Sequence, residues 1–277
     1  MAQTVQALGT EGFYETMLDL LGQVAPWDEG GAMIIYRDHL PVRFYQRYDP
    51  TARPFPKDYY LTGPYALDPL YDLFLKGAAT GIYHVGDIAP DEFFKSEFYR
   101  LFYSQIGLVD YVNVMWRIDE DSAFIYYMER SKRNPVFQFE DLASLRLILP
   151  FVVAITERQY EMVHKGSEFS RDDITHRKVQ SAIDNFASSI LTRREREVLL
   201  YMLKGFSTTT TAQQLRTSED TVKMHRKNIH RKLDISSQAA LFSLFINCIA
   251  FAEPGSDSDP LTAYQSKPTR RPNTALL

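Results

Sequence analysis

The sequence has a single cysteine, Cys248, among 277 residues. One cysteine excludes an intramolecular disulfide framework and a metal site built from several cysteines. The six histidines show no metal-ligand spacing, and the sequence has no glycine-rich phosphate-binding loop. We therefore predict a protein that is not an enzyme, with no catalytic residues, no metal and no cofactor. The expected compartment is the reducing cytoplasm.

Long hydrophobic runs are also missing. The longest apolar run, residues 239–252, is interrupted by Ser243 and Asn247, and it is shorter than the ~20 residues that a membrane span needs. The N-terminus has neither the basic region nor the apolar region of a secretory signal. We therefore expect no membrane partner.

Positive charge is scarce overall but concentrated in one segment. The chain has a net charge of −4, yet residues 192–235 hold ten Lys and Arg against five Asp and Glu. The first 191 residues are correspondingly acidic, with a net charge of −9. An acidic body joined to a small basic module is typical of a two-domain nucleic-acid-binding protein. The chain length also exceeds the usual size of one domain.

Apolar periodicity in residues 1–165 predicts a mixture of helices and antiparallel strands. Two pairs of β-branched and aromatic runs, each separated by a polar turn, predict two hairpins, at 32–36 with 42–48 and 111–117 with 123–129. Helical spacing predicts helices at 10–24, 67–74, 91–105 and 139–163. Pro150 should kink or divide the last one. The expected fold is an α+β domain with an antiparallel sheet flanked by helices (α/β/α).

A polar linker at residues 166–189 should precede three capped helices. Thr192 and Glu195 have the spacing of a capping box, and Gly205 suits the left-handed residue that ends a helix. Ser207 and Ser218 can cap the two helices that follow. The spacing of these signals predicts a compact helical domain in residues 190–252.

The third of these helices has one apolar face and one basic face. Val222, Ile229 and Leu233 form the buried face, and the cations are Lys223, Arg226, Lys227, His230 and Arg231. Lys and Arg on a helix in the major groove reach guanine edges or phosphate oxygens. A solvated amphipathic helix is the alternative interpretation of this segment alone.

The ordered motifs L-T-x-R-E-x-E-V-L, G-F-S and S-x-x-T-V-K-x-H-R-x-N-I-x-R-K-L resemble the LuxR-type DNA-binding domain over residues 190–252. The resemblance implies an all-α, four-helix helix-turn-helix domain with its recognition helix at residues 218–233. It also implies that the last helix, residues 237–251, serves dimerisation. The expected partners are double-stranded DNA and a second copy of the chain, with RNA polymerase as a further candidate.

By position, the resemblance also implies which residues meet DNA. Lys223, Met224, Lys227 and Asn228 match base-facing positions, and Thr221 and Arg231 match phosphate-facing ones. Arg226 completes the candidate set because it belongs to the same group of cations.

The segment departs from the family pattern at three positions. Thr211 stands where isoleucine is usual, Arg216 where glycine or asparagine is usual, and Thr217 where isoleucine or valine is usual. The threonines reduce the buried apolar surface. Arg216 is expected to occupy a strained turn conformation.

The N-terminal half does not have the features of a phosphorylated receiver domain. A receiver needs an acidic pair after its first strand, and the run after Ile34-Ile35-Tyr36 offers only Asp38. The order of hairpins and helices resembles instead the GAF/PAS-like sensory domains.

A second resemblance lies in the segment FPKDYYLTGPYALDPLYDLF, residues 55–74. It is similar to part of the autoinducer-binding domain of quorum-sensing LuxR regulators. Register on Asp68-Pro69 places Tyr59 at the family's tyrosine and Phe55 at its tryptophan. Downstream, Tyr111 stands at the second glycine of the family's G-L-x-x-G stretch. Phe55 and Tyr111 both differ from the family residue.

The candidate ligand-binding set is aromatic and contains one carboxylate. A carboxylate beside aromatic rings accepts an amide N–H or pairs with an amine, while the rings supply apolar contact. The alternatives are that Asp68 caps the helix beginning at Pro69 and that the aromatics are core residues. The candidates are Phe55, Tyr59, Tyr65, Asp68, Tyr111, Trp116 and Tyr126.

These observations predict a DNA-binding regulator whose N-terminal domain senses a small-molecule effector. The alternative is an N-terminal protein-interaction or dimerisation module without a ligand. Residues 253–277 are rich in Pro, Ser, Asp and Thr and are predicted to be a disordered tail.

Overall fold

The computed structural model describes residues 1–48, 59–163 and 173–266. The strands are β1 (Glu29–Tyr36), β2 (Val42–Arg47), β3 (Gly81–His84), β4 (Leu108–Arg117) and β5 (Ser122–Ser131). The α-helices are α1 (Ala2–Gln6), α2 (Phe13–Val24), α3 (Pro69–Leu75), α4 (Val85–Ile88), α5 (Glu97–Phe102), α6 (Phe139–Val163), α7 (Asp173–Asn185), α8 (Arg193–Lys204), α9 (Thr208–Gln214), α10 (Glu219–Leu233), α11 (Gln238–Ile249) and α12 (Pro260–Gln265). Short 3-10 turns lie at Tyr59–Thr62, Pro64–Leu67, Phe93–Lys95 and Ser104–Ile106.

Contacts divide the described chain into two compact units. Unit 1 contains residues 1–48, 69–89 and 107–163. Unit 2 contains residues 59–68, 90–106 and 173–266. The sequence predicts one domain over the whole of residues 1–165. In the structure, two internal segments of that range, residues 59–68 and 90–106, belong instead to unit 2.

Unit 1 is built on a five-stranded sheet with the order β2-β1-β5-β4-β3. Every pairing is antiparallel. The two predicted hairpins are β1–β2 and β4–β5, and the long-range pairing of β1 with β5 joins them. This antiparallel sheet with flanking helices confirms the predicted α+β class, and its topology is not that of a receiver domain.

One face of the sheet, which we call the core face, packs against α2 and α6. Alternate strand residues point to it because successive side chains of a strand point to opposite sides. At its centre Phe124 is 1% exposed and stacks with Tyr14 and Phe44, at centroid distances of 5.5 and 5.8 Å. The strand residues of this core include Ala32, Ile34, Val112, Val114, Phe124, Tyr126 and Met128.

The opposite face, which we call the second face, carries more polar side chains. One row of Cα partners crosses all five strands and contains Gln46, Gly31, Tyr127, Asn113 and Tyr83. The adjacent row contains Glu29, Glu129 and Tyr111. A Cβ atom on residue 31 would overlap the Tyr127 side chain, so glycine lets the Tyr127 ring lie across β1.

Two predicted helices differ in the structure. Residues 139–163 form one continuous helix, α6, with Pro150 on its exposed side, where water can satisfy the backbone carbonyl that loses its partner. Residues 91–105 instead form a 3-10 turn followed by α5. Ser96 causes the break, because its hydroxyl accepts the Tyr99 N–H at 3.1 Å and begins a new helix.

Unit 2 corrects the predicted linker. Within residues 166–189, residues 166–172 lie outside the described part, but residues 173–185 form α7. Val179, Ala182 and Phe186 are buried at helical spacing. Their burial makes α7 part of the folded unit rather than a connecting segment.

The predicted disordered tail is also wrong for residues 253–266, which include α12. Asp259 caps α12, since its carboxylate accepts the Leu261 N–H at 2.9 Å. The same carboxylate accepts the backbone N–H groups of Ala187 and Ser189 at 2.9 and 3.0 Å. These bonds fix the segment to the end of α7, and residues 267–277 lie outside the described part.

Residues 90–96 lie on the turn between α8 and α9 within unit 2. The Glu92 N–H donates to the Gly205 carbonyl at 3.1 Å. Asp91 accepts from the Ser207 N–H at 3.0 Å and from the Thr210 hydroxyl at 2.7 Å. Gly205 has a φ of 85°, and a Cβ there would lie 3.1 Å from the Phe93 Cα. The turn therefore requires glycine for conformation and for close approach.

None of the helices in the described ranges is long and apolar enough to cross a membrane.

Candidate functional site

The helical part of unit 2 begins with the predicted capping box. The Glu195 N–H donates to the Thr192 hydroxyl at 3.3 Å, and the Thr192 N–H donates to the Glu195 carboxylate at 2.9 Å. The same carboxylate accepts from Lys232 Nζ at 2.7 Å, which ties α10 to α8. Burial alone would raise the pKa of Glu195, but the bonds from Lys232 and Thr192 outweigh it and lower the pKa.

The three departures in α9 and its turn are accommodated locally. Thr211 is buried, and its hydroxyl donates to the Ser207 carbonyl at 2.6 Å, so the buried polar group has a partner. Arg216 has a φ of 51°, which confirms the strained turn conformation expected for it. Thr217 is half-buried.

The recognition helix α10 has the predicted buried and exposed faces. Ser218 caps it by accepting the Thr221 N–H at 3.1 Å. Val222, Ile229 and Leu233 are buried. The opposite face exposes Lys223, Met224, Lys227 and Arg231, and Met224 is 51% exposed. These four side chains recur at helical spacing along one surface, which we call the recognition face.

The remaining DNA-contact candidates lie at the margins of the recognition face. Asn228 and Thr221 are half-buried, and the Thr221 hydroxyl is 2.8 Å from that of Ser218. Arg226 turns away from the recognition face: it donates to Thr208 Oγ1 on α9 at 3.3 Å and to Gln238 Oε1 on α11 at 3.4 Å. Arg226 thus stabilises the packing of the three helices.

An exposed ion pair modifies the charge of the recognition face near its start. Lys223 Nζ lies 3.2 Å from Asp220 and 3.9 Å from Glu219. Exposed pairs of this kind contribute little to stability, so Lys223 can exchange these carboxylates for a DNA acceptor at small cost.

In unit 2 the ligand-binding candidates have partners of their own. Tyr59 stacks on Phe102 at 5.9 Å, and the Tyr65 hydroxyl is 2.8 Å from His176 Nδ1. Tyr59 also lines a half-open groove of about 620 Å³, together with Thr62, Lys178 and Ile249. Asp68 is buried at the residue before α3 and accepts hydroxyl hydrogens from Tyr60 at 3.0 Å and from Tyr103 at 3.2 Å. Sequence reasoning missed Tyr60 and Tyr103, because only the fold brings residue 103 to residue 68.

The candidates in unit 1 lie on opposite faces of the sheet. Tyr126 is on the core face, where its hydroxyl is 3.0 Å from Thr156 Oγ1, and burial raises its pKa. Trp116 is on the same face and meets Tyr160 edge-on at 5.8 Å. Tyr111 is buried on the second face. The structure therefore does not bring Tyr111 together with Tyr126 and Trp116, and Phe55 lies outside the described residues.

The second face contains polar groups that the sequence analysis did not single out. Asn113 is 3% exposed, and among the described residues its Nδ2 has no hydrogen-bond partner. In the same part of the chain Gln46 Oε1 is likewise buried without a partner. Asn113 is two residues from Tyr111, and Gln46 is two residues from Tyr48. Strand alternation indicates that each pair shares a face, but this spacing indicates a common site only once the pairing of the strands is known.

The described residues hold no group of three or more His, Cys, Asp and Glu side chains placed to bind a metal. Cys248 is buried, which raises the pKa of its thiol to about 12. The thiol is therefore a packing group at neutral pH.

Residues 189–245 match the family model described as "Bacterial regulatory proteins, luxR family". A helix-turn-helix-type transcriptional regulator encoded in the exeN 3′ region of Aeromonas salmonicida is 25% identical over 197 residues, which cover 70% of this chain and all of that protein. The response regulator protein TodT of Pseudomonas putida is 43% identical over 60 residues, which cover 22% of this chain and 26% of TodT.

A solved structure is similar to part of the chain. The crystal structure of the VqsR LBD domain from Pseudomonas aeruginosa aligns with a TM-score of 0.52 and 24% identity, over 58% of this chain and 94% of that one. This likeness shows a shared fold and nothing beyond the fold.

The capped helices, the exposed basic face of α10 and the family match define residues 189–245 as a DNA-binding domain of the helix-turn-helix class. The chain carries the LuxR-family form of this domain, and it is a DNA-binding transcription regulator that also contains the α+β unit 1.

Proposed function

We propose that the protein is a homodimeric, cytoplasmic transcription regulator that binds double-stranded DNA through α10 and responds to a small molecule bound by unit 1. The observation that carries the proposal is the recognition face, where Lys223, Met224, Lys227 and Arg231 are exposed together on a helix whose other side is buried. A helix of this kind fits the major groove. RNA polymerase is the candidate partner for activation.

Lys227 provides the test of DNA reading. Operator sequences are selected from a random DNA pool with the full chain, and affinities are then measured by fluorescence anisotropy. Lys227→Ala should weaken binding by about 1–3 kcal/mol and relax the preference at one base position. Lys76→Ala, which removes an exposed lysine of unit 1, is the matched control and should leave affinity unchanged. Uniform weakening across sequences would make Lys227 a phosphate contact, and unchanged binding would contradict the proposed face.

Dimerisation is supported by an apolar stripe on α6. Ala143, Leu147, Pro150 and Ala154 are exposed at spacings of three and four residues, and Leu147 is 82% exposed. In contrast, the apolar residues of α11, the helix that the family resemblance assigned to dimerisation, are largely buried within unit 2. An exposed apolar stripe of this kind is typical of an interaction surface.

Leu147→Glu should therefore shift the protein from dimer to monomer, because a dimer would have to bury the new carboxylate without a partner. Light scattering after size exclusion measures the mass directly. Val136→Glu places the same change at another exposed apolar residue of unit 1 and should leave the mass unchanged. A Leu147→Glu protein with the wild-type mass would exclude this stripe as the interface.

Ligand sensing is supported by the polar groups of the second face and by the fold that this chain shares with the VqsR LBD domain. Thermal unfolding of the full chain against a metabolite panel tests it. A ligand at 100 times its Kd should add about 2.7 kcal/mol to stability. No shift across a broad panel would favour the alternative, in which unit 1 only dimerises.

A further inference from the structure

The half-open groove of unit 2 is bordered by three parts of that unit. Residues 59–64 form one wall, α7 forms the second, and the end of α11 forms the third. Its volume of about 620 Å³ lies within the range of small-molecule sites, which is roughly 300–1,000 Å³. We call this space the unit 2 groove. The lining residues that matter below are Pro64, Lys178, Ile246, Asn247, Ile249 and Ala250.

A close approach between two of these walls forms an apolar floor. A Cβ atom on residue 63 would lie 2.7 Å from Ile249 Cδ1, so glycine allows the backbone of the first wall to pack directly on α11. Ile249 is 8% exposed, although it lines the groove. The floor is therefore fixed by packing within unit 2 and does not depend on a surface side chain.

The α11 wall continues the apolar surface of the floor. Ile246, Ile249 and Ala250 recur at spacings of three and four residues, so they share one side of the helix and of its C-cap. Pro64 adds apolar surface from the first wall. An alkyl or aryl group that lies along these residues would be removed from water, which favours binding.

The α7 wall carries the charge of the groove. Lys178 is half-buried, and the lining contains no aspartate or glutamate among the described residues. Within the same ranges Lys178 has no ion-pair partner. Lys232, the half-buried lysine of α10, is instead paired with Glu195 at 2.7 Å. The groove therefore has a positive charge that no carboxylate of its own lining balances.

The combination of one cation and an apolar wall favours an anion with an apolar body. A carboxylate forms a charge-assisted hydrogen bond with an ammonium group, and partial burial strengthens their attraction relative to bulk water. Asn247 lines the groove and is exposed, so its amide can donate to the second oxygen of a carboxylate.

We propose that the unit 2 groove binds a small organic carboxylate with an apolar tail, such as a medium-chain fatty acid. The carboxylate pairs with Lys178, and the tail lies along Ile246, Ile249 and Ala250. This site is built from unit 2 alone and is independent of the ligand sensing proposed for unit 1. A bound carboxylate contacts α7 and α11 at once and so stabilises the packing of these helices.

The test measures binding of three carboxylates to the full chain by isothermal titration calorimetry. The probes are octanoate, decanoate and 4-phenylbutanoate, each compared with its neutral amide. Acetate keeps the charge but has no apolar tail. We expect at least one probe to bind at least tenfold more tightly than its amide and than acetate, because the charge and the tail both contribute.

Two variants assign the binding to the unit 2 groove. Lys178→Gln should weaken binding of the carboxylate at least tenfold and leave carboxylate and amide with similar affinities. Ala250→Glu should abolish binding, because the new carboxylate repels the probe and competes for Lys178. Ala250 is exposed, so this change leaves the core of unit 2 intact, as circular dichroism can verify.

The matched controls make the same changes outside the groove. Lys76→Gln removes an exposed lysine of unit 1, and Ala263→Glu adds a carboxylate at an exposed alanine of α12 that does not line the groove. Both controls should bind the probes with wild-type affinity.

The outcomes separate this inference from sensing by unit 1. Carboxylate binding that persists in Lys178→Gln and Ala250→Glu would place the ligand outside the groove and overturn the inference. Equal binding of carboxylate and amide to the wild-type chain would overturn the role of Lys178. If none of the carboxylates binds and Ala250→Glu lowers the mass in light scattering, the groove is an interface between copies of the chain and the inference is wrong. Sensing by unit 1 is decided by the metabolite panel in each case.

Discussion

The two faces of the unit 1 sheet treat buried polar groups in opposite ways. On the core face the Tyr126 hydroxyl is hydrogen-bonded to Thr156. At the edge of this face Asp110 accepts hydrogen bonds from His84 Nε2 at 2.7 Å and from the Phe137 N–H at 2.6 Å. On the second face Asn113 Nδ2 and Gln46 Oε1 have no partner among the described residues. The same five strands thus provide one face that is complete for stability and one that keeps unused hydrogen-bonding capacity.

This difference distinguishes the face of the sheet that stabilises the fold from the face that is available for function. A satisfied, close-packed face contributes to the folded state and tolerates little change. A face with unsatisfied buried groups reduces stability, and such a cost is typical of a site that a ligand completes. Substitutions on the two faces should accordingly differ in size and in sign.

The largest effect is expected at the centre of the core face. Phe124→Ala should lower the free energy of unfolding by about 3–5 kcal/mol, because it removes a buried ring and leaves a cavity between Tyr14 and Phe44. Urea unfolding followed by circular dichroism measures the change. Phe139→Ala is the control, since Phe139 is 75% exposed and its loss should change stability by less than about 0.5 kcal/mol. Similar values for both variants would remove the distinction between core and surface.

An intermediate effect, dependent on pH, is expected at the His84–Asp110 pair. The hydrogen bond that His84 donates to the Asp110 carboxylate raises the pKa of His84 against the opposing effect of burial. The contribution of the His84–Asp110 pair to the free energy of unfolding is therefore fully present below the ordinary histidine pKa of ~6.5. This contribution is lost as the pH rises through the raised pKa of His84. Asp110→Asn should cost about 1.5–3 kcal/mol near pH 6 and less at pH 8.5.

Urea unfolding of wild type and Asp110→Asn between pH 5.5 and 8.5 measures this dependence. His84→Gln should flatten the wild-type profile in the same way, because either change removes the pair. A difference between wild type and Asp110→Asn that grows with pH would contradict the assigned ion pair.

The smallest effect, and the one of opposite sign, is expected on the second face. Asn113→Leu should raise the free energy of unfolding by about 1 kcal/mol, because it removes a buried donor that has no acceptor. Asn134→Leu is the matched control: Asn134 donates to Asp28 at 2.8 Å, so its loss should destabilise. If both leucine variants destabilise equally, the two faces do not differ in the way described.

Much of the helix-turn-helix could be predicted because its signals are local. The capping box at Thr192 and Glu195, the left-handed Gly205 and the apolar spacing of Val222 and Ile229 each lie within one or two turns of helix. Even the left-handed φ of Arg216 followed from its position in a short turn. The exposed face of α10 was predictable for the same reason.

The candidate ligand site was less predictable because it depends on strand pairing. The sequence predicts both hairpins, but not the pairing of β1 with β5, which brings Glu29 opposite Glu129. One local rule was available: Tyr111 and Trp116 are five residues apart on one strand, so strand alternation places them on opposite faces. Grouping them in one pocket neglected this rule.

The ordered segment before residue 266 was also accessible from sequence. Asp259-Pro260 has the same sequence as Asp68-Pro69, an aspartate followed by proline in the first turn, and Asp259 caps its helix. Composition favoured disorder over residues 253–277 as a whole. The capping signal was the better guide for residues 259–265, because a helix that starts well needs only a few apolar contacts, such as buried Leu261, to stay docked.

The placement of residues 59–68 and 90–106 in unit 2 has a consequence for how the chain folds during synthesis. The Asp91–Ser207 bond joins residues 116 apart in sequence, and the Tyr65–His176 bond joins residues 111 apart. Closing such long loops is slow, and the earlier partners leave the ribosome long before the later ones exist. Phe93 and Phe98, buried in the finished unit, are then exposed apolar side chains on the nascent chain. The helical unit can complete its folding only after residues 176 and 207 have left the ribosome, which makes this regulator a candidate client for chaperones.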